Sequence, residues 1–359
     1  MAERRSLFSG RRGFELQFNW LFVLIAGAIF LMFFFSIIRN QSDSSTEERA
    51  SETQSDVDFL FRASLGSRSS DKLVPLGGSV EFMCEDGVSQ YIVDGSRVSS
   101  QYNYLAVFSP SLLDGKELFV KTDFFRAPFH VMPFLFVTNK DTQYVFIGES
   151  PFLKSIYSSM PENATKRFLP PAEGVSQFKD GSFDKVIFVT DEKGYEDSFA
   201  GVKLSKFSND RLKEVSLVVI APLGGIANYY GAATFYRHSD SAFQRVDESF
   251  FFTPELALGA AYSGDLAIYS CQLDKALKRM GLIASIHEER IGKILEESRF
   301  SSACIDRYSS MNSYLEIMKE LSDRKNLALD DYGELFEAIQ GIKRVNTELI
   351  DKTPCPAIY

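Results

Sequence analysis

Between Phe18 and Ile38 the chain reads FNWLFVLIAGAIFLMFFFSII without one ionisable side chain. A helix of about 21 residues rises roughly 30 Å, the thickness of a bilayer's hydrocarbon core, so this stretch predicts a single transmembrane helix. Behind it Asn40 to Asp56 is polar and rich in Ser and Glu, with no apolar periodicity, and residues 39–72 as a whole read as a juxtamembrane linker with a short helix near Val57–Leu65. From Leu73 the pattern becomes that of strands. Val80–Cys84 and Gln90–Val93 flank Glu85-Asp86-Gly87, a hairpin signal. Leu105–Phe108, Glu117–Val120, Val131–Val137 and Tyr144–Ile147 follow, then a helical stretch from Phe152 to Met160, then strands at Lys185–Val189, Val215–Ala221 and Gly231–Tyr236. Strand, helix, strand in that order predicts a βαβ crossover and some parallel pairing, hence an α/β region with a mixed sheet over residues 73–253.

After Pro254 the spacing turns helical. Apolar positions run through Leu256–Met280 with a stop at Gly281, and through Ile283–Leu321 with a break near Phe300-Ser301-Ser302. A third amphipathic stripe, Tyr332, Leu335, Phe336, Ile339, Ile342, Val345 and Leu349, follows Asp330. Residues 254–359 therefore read as a helical C-terminal region, its stripes being core against neighbouring helices.

Flanking charge orients the span. Arg4, Arg5, Arg11 and Arg12 precede it, Arg39 alone follows, and Asp43, Glu47 and Glu48 come soon after. The positive-inside rule puts residues 1–17 in the cytoplasm and the bulk of the chain outside, with Phe14, Phe18 and Trp20 at the inner interface. A cleaved secretory signal would be shorter and carry a small-residue cleavage site, which Phe34–Ile38 lacks. Arg12-Gly13-Phe14 resembles the processing site of type IV pilins, but the glutamate expected at the fifth mature position is Phe18 here. A permanent anchor fits best.

Composition then bounds the exterior part. Hydrophobic content of 45% and charged content of 24% are those of a folded globular chain, and 33 Phe against one Trp predict Phe-rich cores. Residues 1–13 carry net +3, so the whole-chain charge of −9 leaves about −12 on the rest, which argues against nucleic acid as a partner. Cys84, Cys271, Cys304 and Cys355 all fall on the exported side, even in number and without metal-ligand spacing, and two disulfides are expected rather than four buried thiols. If antiparallel helices turned at Gly281, Cys271 and Cys304 would lie on the order of 20 Å apart in depth, too far to bridge. That favours Cys304–Cys355 and leaves Cys84–Cys271. Asn163-Ala164-Thr165 is a glycosylation sequon in a polar stretch, and Asn40-Gln41-Ser42 is another close to the membrane.

No catalytic, cofactor or metal set assembles from the sequence. His130, His238 and His287 are scattered, and His287-Glu288-Glu289-Arg290 lacks the second histidine of a zinc-protease helix, since residue 291 is Ile. There is no G-x-S-x-G. Ser182-Phe183-Asp184-Lys185 matches S-x-x-K but enters a strand, not a helix, and Gly224-Gly225 is a turn without a phosphate-loop lysine. A cytoplasmic segment of about 17 residues is too short for a folded output domain.

The Phe-Asn-Trp start of an apolar helix ending Phe-Phe-Phe, Cys84 after a strand, Ala127-Pro128-Phe129, Cys271 ahead of the helical third and the terminal Cys355-Pro356-Ala357-Ile358-Tyr359 together resemble a group of uncharacterised archaeal single-span membrane proteins. The resemblance implies an archaeal cell-surface location and a shared disulfide framework, and supplies no activity. The expected function is binding, as a structural or accessory component of a cell-envelope assembly related to pili or secretion. Its expected partners are the lipid bilayer and other envelope proteins. The alternative is a membrane-tethered exterior enzyme or ligand-binding domain whose site is built from scattered residues.

Overall fold

Residues Arg12–Ser64 form one helix, α1, in the computed structural model, which describes residues 12–64, 70–76, 78–93, 99–171, 183–192, 214–223, 229–239, 242–296, 301–324, 327–352 and 355–359. Within α1, Trp20–Arg39 is long and apolar enough to cross a membrane, and its side chains face out of the protein almost throughout. Its bounds lie within two residues of those read from the sequence. Arg4, Arg5 and Arg11 lie outside the described residues. The stretch expected as a linker is helical instead, as far as Ser64. Glu, Arg, Ala and Gln within it are good helix formers, and propensity carries the helix where no apolar period announces one.

Nine strands follow: β1 (Ser70–Pro75), β2 (Ser79–Glu85), β3 (Val88–Val93), β4 (Ser99–Tyr102), β5 (Ala106–Phe108), β6 (Leu112–Asp114), β7 (Glu117–Arg126), β8 (His130–Asn139) and β9 (Thr142–Ile147). Helix α2 (Pro151–Ser159) leads to β10 (Lys166–Leu169), β11 (Lys185–Thr190), β12 (Glu214–Pro222), β13 (Gly231–Ser239) and β14 (Ala242–Phe251). Helices α3 (Pro254–Ser263), α4 (Leu266–Glu296), α5 (Ser302–Asp323) and α6 (Leu329–Lys352) complete the chain.

Among the described residues the strands form three sheets, ordered β1-β7-β8-β5, β10-β9-β11-β12-β13-β14 and β4-β3-β2-β6. In the six-stranded sheet β10, β9, β11 and β12 are parallel, and β13 and β14 add antiparallel. The parallel pairing expected between Tyr144–Ile147 and Lys185–Val189 is present, β9 beside β11, but the helix between them returns first to β10, a strand not read from the sequence, which pairs parallel on the other side of β9. Every residue of β9 and β11 is buried, the continuous apolar run of strands covered on both faces. The β2–β3 hairpin closes as the sequence predicts, with Glu85 opposite Val88 and both Asp86 (φ 50°) and Gly87 (φ 77°) left-handed, a two-residue turn whose twist suits the strands.

Helix α3 sits at the centre. Pro254 opens it, the Thr253 hydroxyl accepts from the Leu256 amide at 3.4 Å, and Leu256–Ser263 are all buried. It packs on β5, β7 and β8 from one side and on β12 and β14 from the other. A helix apolar all round needs such a site. Gly264, left-handed at φ 58°, ends it. The helical pattern read as unbroken from Leu256 to Met280 therefore breaks at Gly264, while α4 runs straight through Gly281. There a Cβ would stand 2.7 Å from Ser322 Cβ of α5, so that glycine lets two helices cross closely and caps nothing.

Contacts divide the described chain between Glu52 and Thr53. The unit Thr53–Tyr359 includes the last turns of α1, all three sheets and α2 to α6. An apolar core from Ala106 to Ile358 draws on both residues 73–253 and residues 254–359, and a second cluster gathers Val145, Ile147, Phe188 and Leu217. Phe108, Phe125, Phe134, Phe136, Phe146 and Phe188 are fully buried within the unit, the Phe-rich interior that composition predicts.

Candidate functional site

Cys84 of β2 bonds Cys271 of α4, and Cys304 of α5 bonds Cys355 of the tail, with Cα atoms 5.9 and 5.8 Å apart. This is the pairing favoured above, although its premise of a turn at Gly281 does not hold. Helix α4 runs on to Glu296, and α5 begins at Ser302 with Ser301 at its N-cap. Asn163 is exposed in the turn after α2, and Asn40 lies within α1. Among the described residues, no group of three or more His, Cys, Asp or Glu is placed to hold a metal. His130, His238 and His287 pack on Phe124, Phe243 and Phe129 respectively. Ser182 and the pair Gly224-Gly225 lie outside the described residues.

A groove of about 790 Å³ lies beside the Cys84–Cys271 disulfide. One wall is the β2–β3 turn, which presents Glu85 and Asp86. The second is α4, with Ser270, Asp274 and Lys278, and the third is the end of α5, with Asp323 and Arg324. Phe250, Leu277 and Tyr332 give it an apolar base, where the Phe250 and Tyr332 rings lie 4.7 Å apart. Carboxylates outnumber cations along the rim. Arg324 is bound to Glu320 and to Asp331, the latter at 3.0 Å. Burial pushes the Asp274 carboxyl above the usual carboxylate range, and Lys278 offsets part of the shift. Burial likewise raises the Tyr332 phenol, with the charges of Asp274 and Asp331 adding to it.

Behind this groove lies a second polar cluster, closed to water. Lys275 Nζ donates to Ser89 Oγ at 2.5 Å and to the carbonyls of Tyr102 and Leu105 at 3.1 Å each. Gln272 joins the same hydroxyl and accepts from the Val107 amide at 3.1 Å. A serine beside a lysine whose pKa burial lowers to about 8 has the outline of a nucleophile and its base. The geometry gives it another task. All three ammonium protons are already committed, and Ser89 and Lys275 are 3% and 5% exposed, so no substrate reaches either. The pair locks α4 onto β3 and the connection into β5.

A third cluster joins the end of α1 to the same small sheet. The hydroxyls of Tyr91 and Tyr102 both donate to Asp58 Oδ1, and Ser100 donates to Oδ2 at 3.1 Å. The two rings stack 6.0 Å apart with Phe61 edge-on to both. Burial, then the bond to Asp58, pushes both phenols well above their ordinary range. Two small cavities lie elsewhere among the described residues. One of about 30 Å³ adjoins the Lys185–Glu214 ion pair (2.6 Å) at the starts of β11 and β12, and one of about 10 Å³ lies among Phe61, Tyr91 and Gln272. Each has room for about one water.

Ligands of open parallel sheets gather at the carboxyl ends of the strands. There the Ser150 hydroxyl caps α2, accepting from the Leu153 amide at 3.0 Å, and donates to Asp191. The chain that follows, residues 193–213 and 224–228, lies outside the described residues. Sequence reading missed Asp58, Lys275 and the groove. Lys275 had a signal: with Ile268 and Gln272 it follows the i, i+4, i+7 spacing of a buried stripe, where a lysine must find partners.

Fold and site together define a class: a mixed α/β unit closed by two disulfides, behind one helix apolar enough to cross a membrane. No protein-family model, curated protein or solved structure matches the chain.

Proposed function

We propose that the chain is a membrane-anchored protein whose Thr53–Tyr359 unit lies outside the cytoplasm and acts by binding, as a structural or accessory part of a cell-envelope assembly of the pilus or secretion kind. The observation that carries this reading is the pair of disulfides in a unit that follows a span-length apolar helix. Structural disulfides belong to oxidising compartments. The arginines ahead of the span favour the same orientation. The likeness to archaeal single-span surface proteins agrees with it.

A membrane-impermeant amine reagent applied to intact cells, followed by crosslinking and mass spectrometry of the extracted protein, tests the reading. Lys140 and Lys293, both well exposed, are expected to label in intact cells, and envelope proteins to crosslink stoichiometrically. Labelling only after lysis overturns the orientation, and an uncrosslinked monomer overturns the assembly role.

A second reading, an exterior ligand-binding or enzymatic domain, is favoured by the size of the groove, which falls in the range of ligand sites. Small-ligand thermal-shift screens separate it from the first.

A further inference from the structure

We propose that the groove beside the Cys84–Cys271 disulfide docks a short segment of a partner protein in which Lys or Arg side chains alternate with apolar ones. This names the partner chemistry of the binding role above and rests on that reading for its setting outside the cytoplasm.

Three features of the groove converge on this occupant. The first is size: its 790 Å³ matches the roughly 300–1,000 Å³ of ligand sites. The second is charge. Glu85 and Asp86 line one bank, Asp274 another and Asp323 the third, while Glu248 of β14 also lines the groove but is already paired with Arg245 at 2.7 Å. Facing them are Lys278 and Arg324, and Arg324 is already engaged by Glu320 and Asp331. An excess of acceptors spread over three walls fits several cations spaced along a chain better than one ion. The third is the apolar base of Phe250, Leu277 and Tyr332, which gives side chains between those cations a surface to cover.

The walls are also fixed beforehand. The hairpin turn carrying Glu85 and Asp86 is bonded to α4 one residue away, through Cys84 and Cys271. Arg324 ties the end of α5 to Asp331 in the first turn of α6. A preformed groove loses little entropy on binding. The raised Asp274 carboxyl fits as well, since an arriving cation favours its charged form.

The test uses the full chain in zwitterionic nanodiscs and fluorescence anisotropy. Its probe is a labelled dodecapeptide alternating Lys with Leu, compared with the same peptide carrying Glu for Lys and with spermine as competitor. The Lys peptide is expected to bind at least about tenfold more tightly than the Glu peptide, and to weaken about fivefold or more between 50 and 500 mM salt. The double variant Asp86→Asn with Asp274→Asn is near-isosteric and changes only side chains that line the groove. It is expected to keep its melting temperature and to lose about tenfold in affinity, its own nanodiscs giving the baseline for lipid binding. Equal binding of the two peptides, no loss in the double variant, or displacement by spermine at the peptide's own concentration overturns the proposal. Its failure is separable from that of the function: envelope crosslinks mapping away from the groove sink only the docking site. Groove-dependent binding by a chain that labels only after lysis sinks only the location.

Discussion

Ser89 and Lys275, 186 residues apart in sequence, meet at 2.5 Å between β3 and α4. Two carbonyls, of Tyr102 and Leu105, take the remaining protons of the ammonium. A buried cation is costly, and here hydrogen bonds alone offset that cost, with no carboxylate among the partners. The contact orders the stretch between β4 and β5, beside the disulfide from Cys84 of β2, the strand next to β3, to Cys271 of α4.

Removing the lysine should therefore strand acceptors, not merely delete a charge. Lys275→Met keeps most of the volume yet leaves both carbonyls and Ser89 short of a donor. It is expected to destabilise the unit by about 2 kcal/mol, and Lys275→Ala by more because a cavity is added. Urea unfolding of the full chain in detergent reads both. A Met variant as stable as the parent would mean that water replaces the ammonium without loss.

The same lysine sets a pH dependence. Its pKa in the folded unit is lowered to about 8, against an ordinary 10.5, because burial disfavours the charge. Between those values the unfolded chain holds the proton that the folded one has released, so stability rises with pH through this window. The cost is fully present below pH 8. Above about 10 the sign reverses, because Tyr91 and Tyr102 are held protonated in the fold and ionise first when unfolded. A urea midpoint that peaks near pH 10, and loses its rise from pH 8 in Lys275→Met, is the expected result. A flat profile over pH 8–10 in the parent refutes it.

Much of this fold was readable because its signals are local. The Asp86-Gly87 turn, the apolar runs of β9 and β11 with α2 between them, and the stripe of α6 each need only a few neighbouring residues to declare themselves. Edge strands β4, β6 and β10, of three or four residues, carry too short an alternation to count. Helix α3 concealed its own end because its burial is complete, which leaves no polar face to lose. The groove was beyond the sequence altogether. It draws on β2, β14, α4, α5 and α6, and no spacing links Asp86 to Asp274 before the chain folds.

The disulfides make a prediction of their own. Peptide mapping without reduction should recover Cys84 with Cys271 and Cys304 with Cys355. Removing the first bridge by Cys84→Ser with Cys271→Ser should cost more than removing the second, because it closes 187 residues of chain against 51. Each loss is expected at about 2–5 kcal/mol, and the difference at about 1 kcal/mol, on chain-entropy grounds. Equal melting temperatures for the two double variants would set that account aside here.

Two glycines of α4 give opposite signs for the same substitution. Replacing a mid-helix Gly by Ala ordinarily stabilises by about 0.5–1 kcal/mol, because Gly has more freedom to lose on folding. Gly292 has nothing within 4 Å of an added Cβ, so Gly292→Ala should show that gain as a higher melting temperature. At Gly281 the added methyl meets Ser322 Cβ at 2.7 Å, a contact that only separation of α4 from α5 relieves. Overpacking of that kind costs about 1–3 kcal/mol, more than the helix gains. Gly281→Ala should therefore lower the melting temperature, and Ser322→Gly in the same chain should recover part of the loss. If both glycine variants were stabilising, the helices would cross with more room than the 2.7 Å approach allows.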